Sequence, residues 1–99
     1  RTIDRLVLVN HQHSPPHFYT VEADANSKVL KVCDSSEGCA ELRGVRARVE
    51  RFLQCVNHTS SKITKTDKID CPRQKDSVSC AIYACIYATF LVQGKVLPT

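Results

Sequence analysis

The stretch from His17 to Asp34, HFYTVEADANSKVLKVCD, decides the architecture of this 99-residue chain. In its first half Tyr19, Val21 and Ala23 alternate with Thr20, Glu22 and Asp24. That period of two is the mark of a half-buried strand. Its second half, Lys28 to Cys33, reads KVLKVC and is rich in β-branched residues, as strands are. Between them, Asp24-Ala25-Asn26-Ser27 suits a turn, because Asp, Asn and Ser bond their own backbone and Asn tolerates positive φ. The two runs read as a β-hairpin. Centring its turn on Ala25 and Asn26 pairs Asp24 with Ser27, Tyr19 with Val32, and His17 with Asp34.

Upstream, Leu6-Val7-Leu8-Val9 is a short apolar run that reads as a buried strand, followed by a polar, proline-containing loop from Asn10 to Pro16. Downstream the period changes. Leu42, Val45, Val49, Phe52 and Val56 recur at three- and four-residue steps, the stripe of an amphipathic helix over residues 40–56. Arg43, Arg46, Arg48, Glu50 and Arg51 occupy its remaining surface, and Gly44 is a mild weak point. Asn57 to Asp70 is a polar loop followed by a weak strand around Lys62–Asp67, and Cys71-Pro72-Arg73-Gln74 enters a turn. From Val78 to Gln93 nearly every residue is apolar or small, which describes a central, buried helix. Ser77 or Ser79 caps its start, and Gly94 with Pro98 closes its end. The order β-β-β-α-β-α, without internal repeat, predicts an α+β fold.

Composition bounds the answer. With 42% hydrophobic and 24% charged residues the chain is neither a disordered tail, a collagenous repeat nor a low-complexity linker. Fourteen Lys and Arg against ten Asp and Glu give a formal net charge of +4. The longest apolar run, Ala81 to Val92, is broken by Thr89 and too short to span a bilayer, so no membrane anchor is expected. Residues 1–99 read as a single domain. It starts at Arg1 without a Met anywhere, the look of an excised, N-terminally truncated piece.

Six cysteines stand at 33, 39, 55, 71, 80 and 85. They allow three disulfides, a metal site, or reduced thiols with one specialist among them. No Cys-x-x-Cys pair occurs, so the common structural zinc spacing is absent. Cys85 lies within an apolar helical run, where Cys serves as a small hydrophobe. Reduced, intracellular thiols are the expectation.

Cys80 is the specialist candidate. It lies at the first turn of the apolar helix, where unpaired backbone N–H groups and the positive end of the dipole favour thiolate over thiol. A Cys so placed is a nucleophile if a His reaches it, and otherwise a buried small residue. The hairpin brings His17 and Asp34 together, with facing Cβ atoms about 5 Å apart. A carboxylate beside an imidazole fixes its tautomer, the orienting role in a catalytic triad. The alternative is a solvated cross-strand charge pair. Gln74 precedes Cys80 at the mouth of the same turn. Its amide suits an oxyanion hole shared with the Cys80 backbone N–H, or it is an ordinary loop residue.

His17-Phe18, Asp34-Ser35 and the run Pro72-Arg73-Gln74-Lys75-Asp76-Ser77-Val78-Ser79-Cys80-Ala81 together resemble the ubiquitin-like-protein proteases. These are the SUMO- or sentrin-specific cysteine peptidases and their viral and transposon-borne relatives. The family pattern is His-Trp opening a strand, Asp-Ser ending the next, and Pro-x-Gln-x-Asn/Asp-x-x-x-Cys-Gly leading into a buried helix. The resemblance covers roughly residues 5–93. It implies a papain-like cysteine proteinase fold, with a small antiparallel or mixed sheet and a buried helix carrying the nucleophile. It further implies Cys80 as nucleophile, His17 as base, Asp34 as orienter and Gln74 in the oxyanion hole. Phe18 stands where the family's Trp covers the modifier's Gly-Gly tail, and is the implied substrate-binding residue. Ser79 replaces a frequent Asp, and Ala81 the usual Gly.

The implied reaction is thiol hydrolysis after the C-terminal Gly-Gly of SUMO or a related modifier, in the nucleus or cytoplasm. SUMO and its conjugates are then the partners. No metal or organic cofactor is required, because side chains carry acyl-enzyme chemistry. The alternative within the family is an inactive or truncated relative that binds a ubiquitin-like modifier without cutting it.

Other motifs point less far. His11-x-His13-x₃-His17 has metal-ligand types but lacks acidic or thiol neighbours, so no metal site is expected. The arginines at 43, 46, 48 and 51 suit phosphate or an acidic protein surface, or simply a solvated helix face. Asn57-His58-Thr59 fits a glycosylation acceptor, which matters only in a secreted protein. A basic nucleic-acid-binding domain is not expected, given 6% aromatic residues and no recognised motif for it.

Overall fold

The computed structural model describes residues 3–13, 16–36, 42–59, 62–76 and 79–95. Strands β1 (Arg5–Gln12), β2 (His17–Asp24) and β3 (Val29–Cys33) precede helix α1 (Leu42–Asn57), strand β4 (Lys65–Lys68) and helix α2 (Cys80–Val92). The sheet has the order β1-β2-β3-β4, with antiparallel joins around β2 and a parallel join between β3 and β4. Helix α1 is the crossover that a parallel join requires. The α+β class is thus as expected.

The hairpin differs from its expected register. The structure pairs Thr20 with Cys33 and Asp24 with Val29, leaving Ala25 to Lys28 as the turn. A two-residue turn on Ala25-Asn26 needs positive φ at or near Ala25, which its Cβ resists. The wider turn instead puts Lys28 at φ 62°. Its carbonyl-to-amide closure runs from Lys28 N–H to the Asp24 oxygen at 2.9 Å. The Asp24 carboxylate accepts the N–H groups of Asn26 (2.9 Å) and Ser27 (3.1 Å), chiefly the latter holding its pKa below 3.8.

Strand β1 also extends beyond its apolar run, because Asn10 pairs with Tyr19 and Gln12 with His17. Asn10 is buried there, its side-chain oxygen taken by the Arg48 guanidinium.

Both faces of β2 are covered, so the half-buried expectation is corrected. On one face Tyr19, Val21 and Ala23 join Leu30, Val32 and Ile63 beneath Val45, Val49 and Leu53 of α1. On the other, Cys33, Cys71, Tyr87 and Leu91 cluster with Val7. The Thr20 hydroxyl on that face donates to the Ala84 carbonyl of α2 at 2.6 Å. Glu22 is buried there too, accepting a hydrogen bond from Arg5, whose guanidinium also reaches the Leu91 carbonyl. The pleat thus assigns one helix to each side of the sheet.

Helix α1 is rotated from the expected stripe. Val49 lies at its centre with Val45 and Leu53 alongside, while Phe52 falls on the shoulder and is 45% exposed. There Phe52, Leu6, Leu8, Val49 and Arg48 line a groove. Arg46 donates to the Ile63 carbonyl and Arg48 to Asn10, so these arginines have structural partners. Glu50 accepts the Ile63 N–H at 2.7 Å, fixing the approach to β4. That strand starts at Lys65, later than expected.

Helix α2 buries Cys80, Ala84, Tyr87 and Leu91, whereas Ile82 and Ile86 on its other side are 64% and 43% exposed. Its end is the expected one. Gly94 takes φ 70°, its N–H bonds the Leu91 carbonyl, and the Lys95 N–H bonds that of Phe90. This is a Schellman closure, in which the left-handed residue costs a glycine least. Pro98, expected to help, lies outside the described residues, as does Ser77. Among the described residues no helix is long and apolar enough to cross a membrane.

Candidate active site

Cys80 is the first residue of α2 and is buried. The helix entry is fixed from outside: the Asp76 carboxylate accepts the Ser79 N–H at 2.8 Å and the Ser79 hydroxyl at 2.7 Å. Ser79 holds the N-cap position, but its side chain makes no capping bond into the helix, which corrects the simplest capping expectation. Past the last β2–β3 pair, at Thr20 and Cys33, the backbone N–H of Phe18 points at Cys80 and donates to its sulfur at 3.4 Å. The thiol therefore meets β2 at the residue next to His17.

His17 and Asp34 are both buried, with Nε2 of the ring 2.6 Å from Oδ1 of the carboxylate. They are not the direct cross-strand pair of the expected register. Extending the observed register by one residue sets Asp34 opposite Tyr19, so His17 reaches it diagonally along the same face. The pair is enclosed rather than solvated. Tyr19 packs beside the imidazole at a ring separation of 6.0 Å, and the Ser36 N–H also donates to Asp34 Oδ1 at 3.0 Å. With Nε2 engaged, Nδ1 is the ring nitrogen left for a second partner.

Gln74 lies beside this pair but its amide is occupied. Its Nε2 donates to the Asp76 carbonyl at 2.7 Å, its Oε1 accepts the Ser35 hydroxyl, and its backbone N–H donates to the Ser35 carbonyl at 3.0 Å. Phe18 is half-buried, its ring 4.6 Å from that of its β1 partner His11.

Sequence reasoning missed the lacing behind Asp34. The Asp34 carbonyl accepts from Cys71 Sγ at 3.4 Å and from Arg73 Nη1 at 2.6 Å. These contacts join two loops through a main-chain oxygen, which no side-chain spacing encodes.

Cys33, Cys55, Cys71, Cys80 and Cys85 are free thiols, and Cys39 lies outside the described residues. Burial pushes the Cys33 thiol up to about 12, with neighbouring Cys71 adding to the effect. Burial likewise raises the Tyr87 hydroxyl, which donates to the Pro72 carbonyl. Cys85 is exposed, not packed as expected. Among the described residues no three His, Cys, Asp or Glu side chains gather as a metal site.

No protein-family model matches the chain, and none of the curated proteins matches it. Solved structures do. The C-terminal Ulp1 protease domain, in complex with Smt3, the yeast ortholog of SUMO, superposes with a TM-score of 0.74 at 17% identity, over 98% of this chain and 45% of that one. The SUMO protease Ulp1 with its catalytic cysteine oxidised to a sulfenic acid gives a TM-score of 0.75 at 19% identity, with the same coverage. The sulfonic acid form gives 0.76 at 19% identity, again with that coverage. The chain therefore has the α+β fold of the Ulp1 SUMO protease domain, and spans less than half the length of those chains.

Proposed function

We propose that this chain carries the Cys-His-Asp centre of a cysteine peptidase or isopeptidase that cleaves after the C-terminal Gly-Gly of SUMO or a related ubiquitin-like modifier. The observation that carries the reading is the convergence of two contacts on adjacent residues of β2. His17 holds Asp34 at 2.6 Å, and the next residue, Phe18, holds the Cys80 sulfur. The Ulp1-like fold supports it, and one such solved structure is a SUMO complex.

In this reading His17 takes the Cys80 thiol proton on Nδ1, the nitrogen that Asp34 leaves unused. The thiolate attacks the scissile carbonyl carbon, and the tetrahedral oxyanion is held by the Cys80 N–H and by Gln74 once its amide leaves Asp76. Collapse breaks the C–N bond as His17 returns its proton to the leaving amine. Water then attacks the thioester carbonyl carbon, giving up a proton to His17. The C–S bond breaks, the modifier leaves with a C-terminal carboxylate, and His17 returns the proton to the Cys80 sulfur. Asp34 keeps the ring oriented and stabilises its charged form. Phe18 faces the modifier's tail.

A second reading is a module that holds the modifier without cutting it. It is favoured by the engagement of Gln74 with Ser35 and Asp76, which leaves its amide turned away from this task. A SUMO probe bearing a C-terminal propargyl amide separates the two. Covalent capture that disappears in Cys80→Ala supports the peptidase, whereas saturable binding without an adduct supports the module. Neither adduct nor binding overturns both.

A further inference from the structure

We infer that Arg73, assisted by Cys71, is a positioning residue that holds Asp34 against His17. The inference deepens the peptidase reading and rests on it for its catalytic consequence, although the positioning itself can be measured without any substrate. Strand β3 ends at Cys33, so Asp34 follows the last residue held by the sheet ladder. A buried carboxylate that orients an imidazole must have its backbone fixed by something else, since a small rotation there swings Oδ1 out of hydrogen-bond range.

Segment 71–74 supplies that fixation. Arg73 Nη1 donates to the Asp34 carbonyl at 2.6 Å, a charge-assisted bond, and the Cys71 thiol donates to the same oxygen at 3.4 Å. One residue on, the Gln74 N–H donates to the Ser35 carbonyl at 3.0 Å and the Ser35 hydroxyl to Gln74 Oε1. The Cys71 end of the clamp is anchored in turn, because Cys71 packs with Cys33, Tyr87 and Leu91, and Tyr87 donates to the Pro72 carbonyl. One short segment thus grips the backbone of the orienting carboxylate and bears the amide of Gln74. The Arg73 hydrogen bond ends on the Asp34 carbonyl rather than on the sulfur or the imidazole, so Arg73 acts through Asp34.

The donor requirement gives two matched comparisons. Arg73→Met keeps the length of the side chain without a donor, and Arg73→Lys keeps a cationic N–H. Cys71→Ala removes the thiol, and Cys71→Ser restores an O–H donor. The direct readout is the His17 imidazole Nε2–H resonance of the ¹⁵N-labelled full chain, whose exchange with water is slowed by the bond to Asp34. Its exchange rate is expected to rise on the order of tenfold in Arg73→Met and to stay near the native value in Arg73→Lys. Cys71→Ala shifts it in the same sense, with rescue by Cys71→Ser. Backbone amide spectra of β2 and α1 check that each variant is folded, and Arg73 is exposed, so its replacement leaves no cavity in the core. An unchanged His17 exchange rate in folded Arg73→Met overturns the inference. Covalent capture by the SUMO probe is measured in parallel. If native protein gives no adduct while the His17 signal still depends on Arg73, the positioning stands and the peptidase reading falls.

Discussion

The imidazole of His17 and the carboxylate of Asp34 meet at 2.6 Å although they sit diagonally on the sheet, one at the start of β2 and the other just past the end of β3. A register change of two residues preserves the face on which every side chain lies. That is why a turn read as two residues and built as four still leaves this pair together. Burial of both partners makes the bond count for more than its exposed equivalent, because water does not compete for either group.

Removing the partner should therefore show in reactivity. In the peptidase reading, Asp34→Ala lowers the rate of covalent capture by a SUMO propargyl-amide probe by on the order of 10²–10⁴-fold. His17→Ala lowers it at least as far, and Cys80→Ala abolishes it. Native-like capture by Asp34→Ala would remove Asp34 from the mechanism.

The turn that sets the register depends on Asp24. Its carboxylate accepts the Ser27 and Asn26 N–H groups and so titrates below 3.8 in the folded chain. The sign follows: the depressed pKa contributes stability above the unfolded value, and that contribution is lost as pH falls through the folded value. Asp24→Ala is expected to cost about 1 kcal/mol at neutral pH. The cost should shrink in the acid limb of a urea titration followed by circular dichroism. An equal cost at pH 3 and pH 7 would show that the carboxylate charge is irrelevant to the turn.

The rotation of α1 separates two neighbouring residues that hydrophobicity alone ranks together. Leu53 is fully enclosed, whereas Phe52 is 45% exposed on the rim of the groove. Leu53→Ala should cost about 2–5 kcal/mol through lost transfer energy and the cavity it leaves. Phe52→Ala should cost less than about 1.5 kcal/mol, since much of its ring is already in water. Equal losses in chemical denaturation would place Phe52 back in the core.

What could be read in advance was what repeats along the chain. The alternation of Tyr19, Val21 and Ala23 and the stripe through Val45 and Val49 report a period, the residues after Cys80 report a sustained apolar composition, and each became an element. The left-handed Lys28 was not legible, because only the two N–H groups captured by Asp24 make that conformation worthwhile. Nor was the burial of Glu22: it follows from α2 lying across the second face of β2, a tertiary event. The site divides the same way. His17, Asp34, Gln74 and Cys80 follow a characteristic order and spacing of side chains along the chain, whereas the grip of Arg73 and Cys71 ends on a carbonyl. A main-chain acceptor is the same at every residue and leaves no trace in composition or period.

The thiol and phenol buried behind Asp34 make the fold sensitive to alkali. Unfolded Cys33 ionises around 9.0, but in the folded chain burial holds its proton until about 12; Tyr87 is shifted upwards for the same reason. Above pH 9 the unfolded state therefore binds fewer protons than the folded one, and stability must decline as pH rises. Each proton so retained gives a slope of no more than about 1.4 kcal/mol per pH unit. Urea denaturation between pH 8 and pH 11 should show this decline, and Cys33→Ala should flatten the part beginning near 9 while leaving the tyrosine part above 10. Iodoacetamide should also spare Cys33 in the folded chain and modify it after unfolding, whereas exposed Cys55 and Cys85 react in both. A pH-independent stability across that range, or ready alkylation of Cys33 in the folded state, would place its thiol in water and dissolve the packed cluster on which the Cys71 end of the Asp34 clamp is anchored.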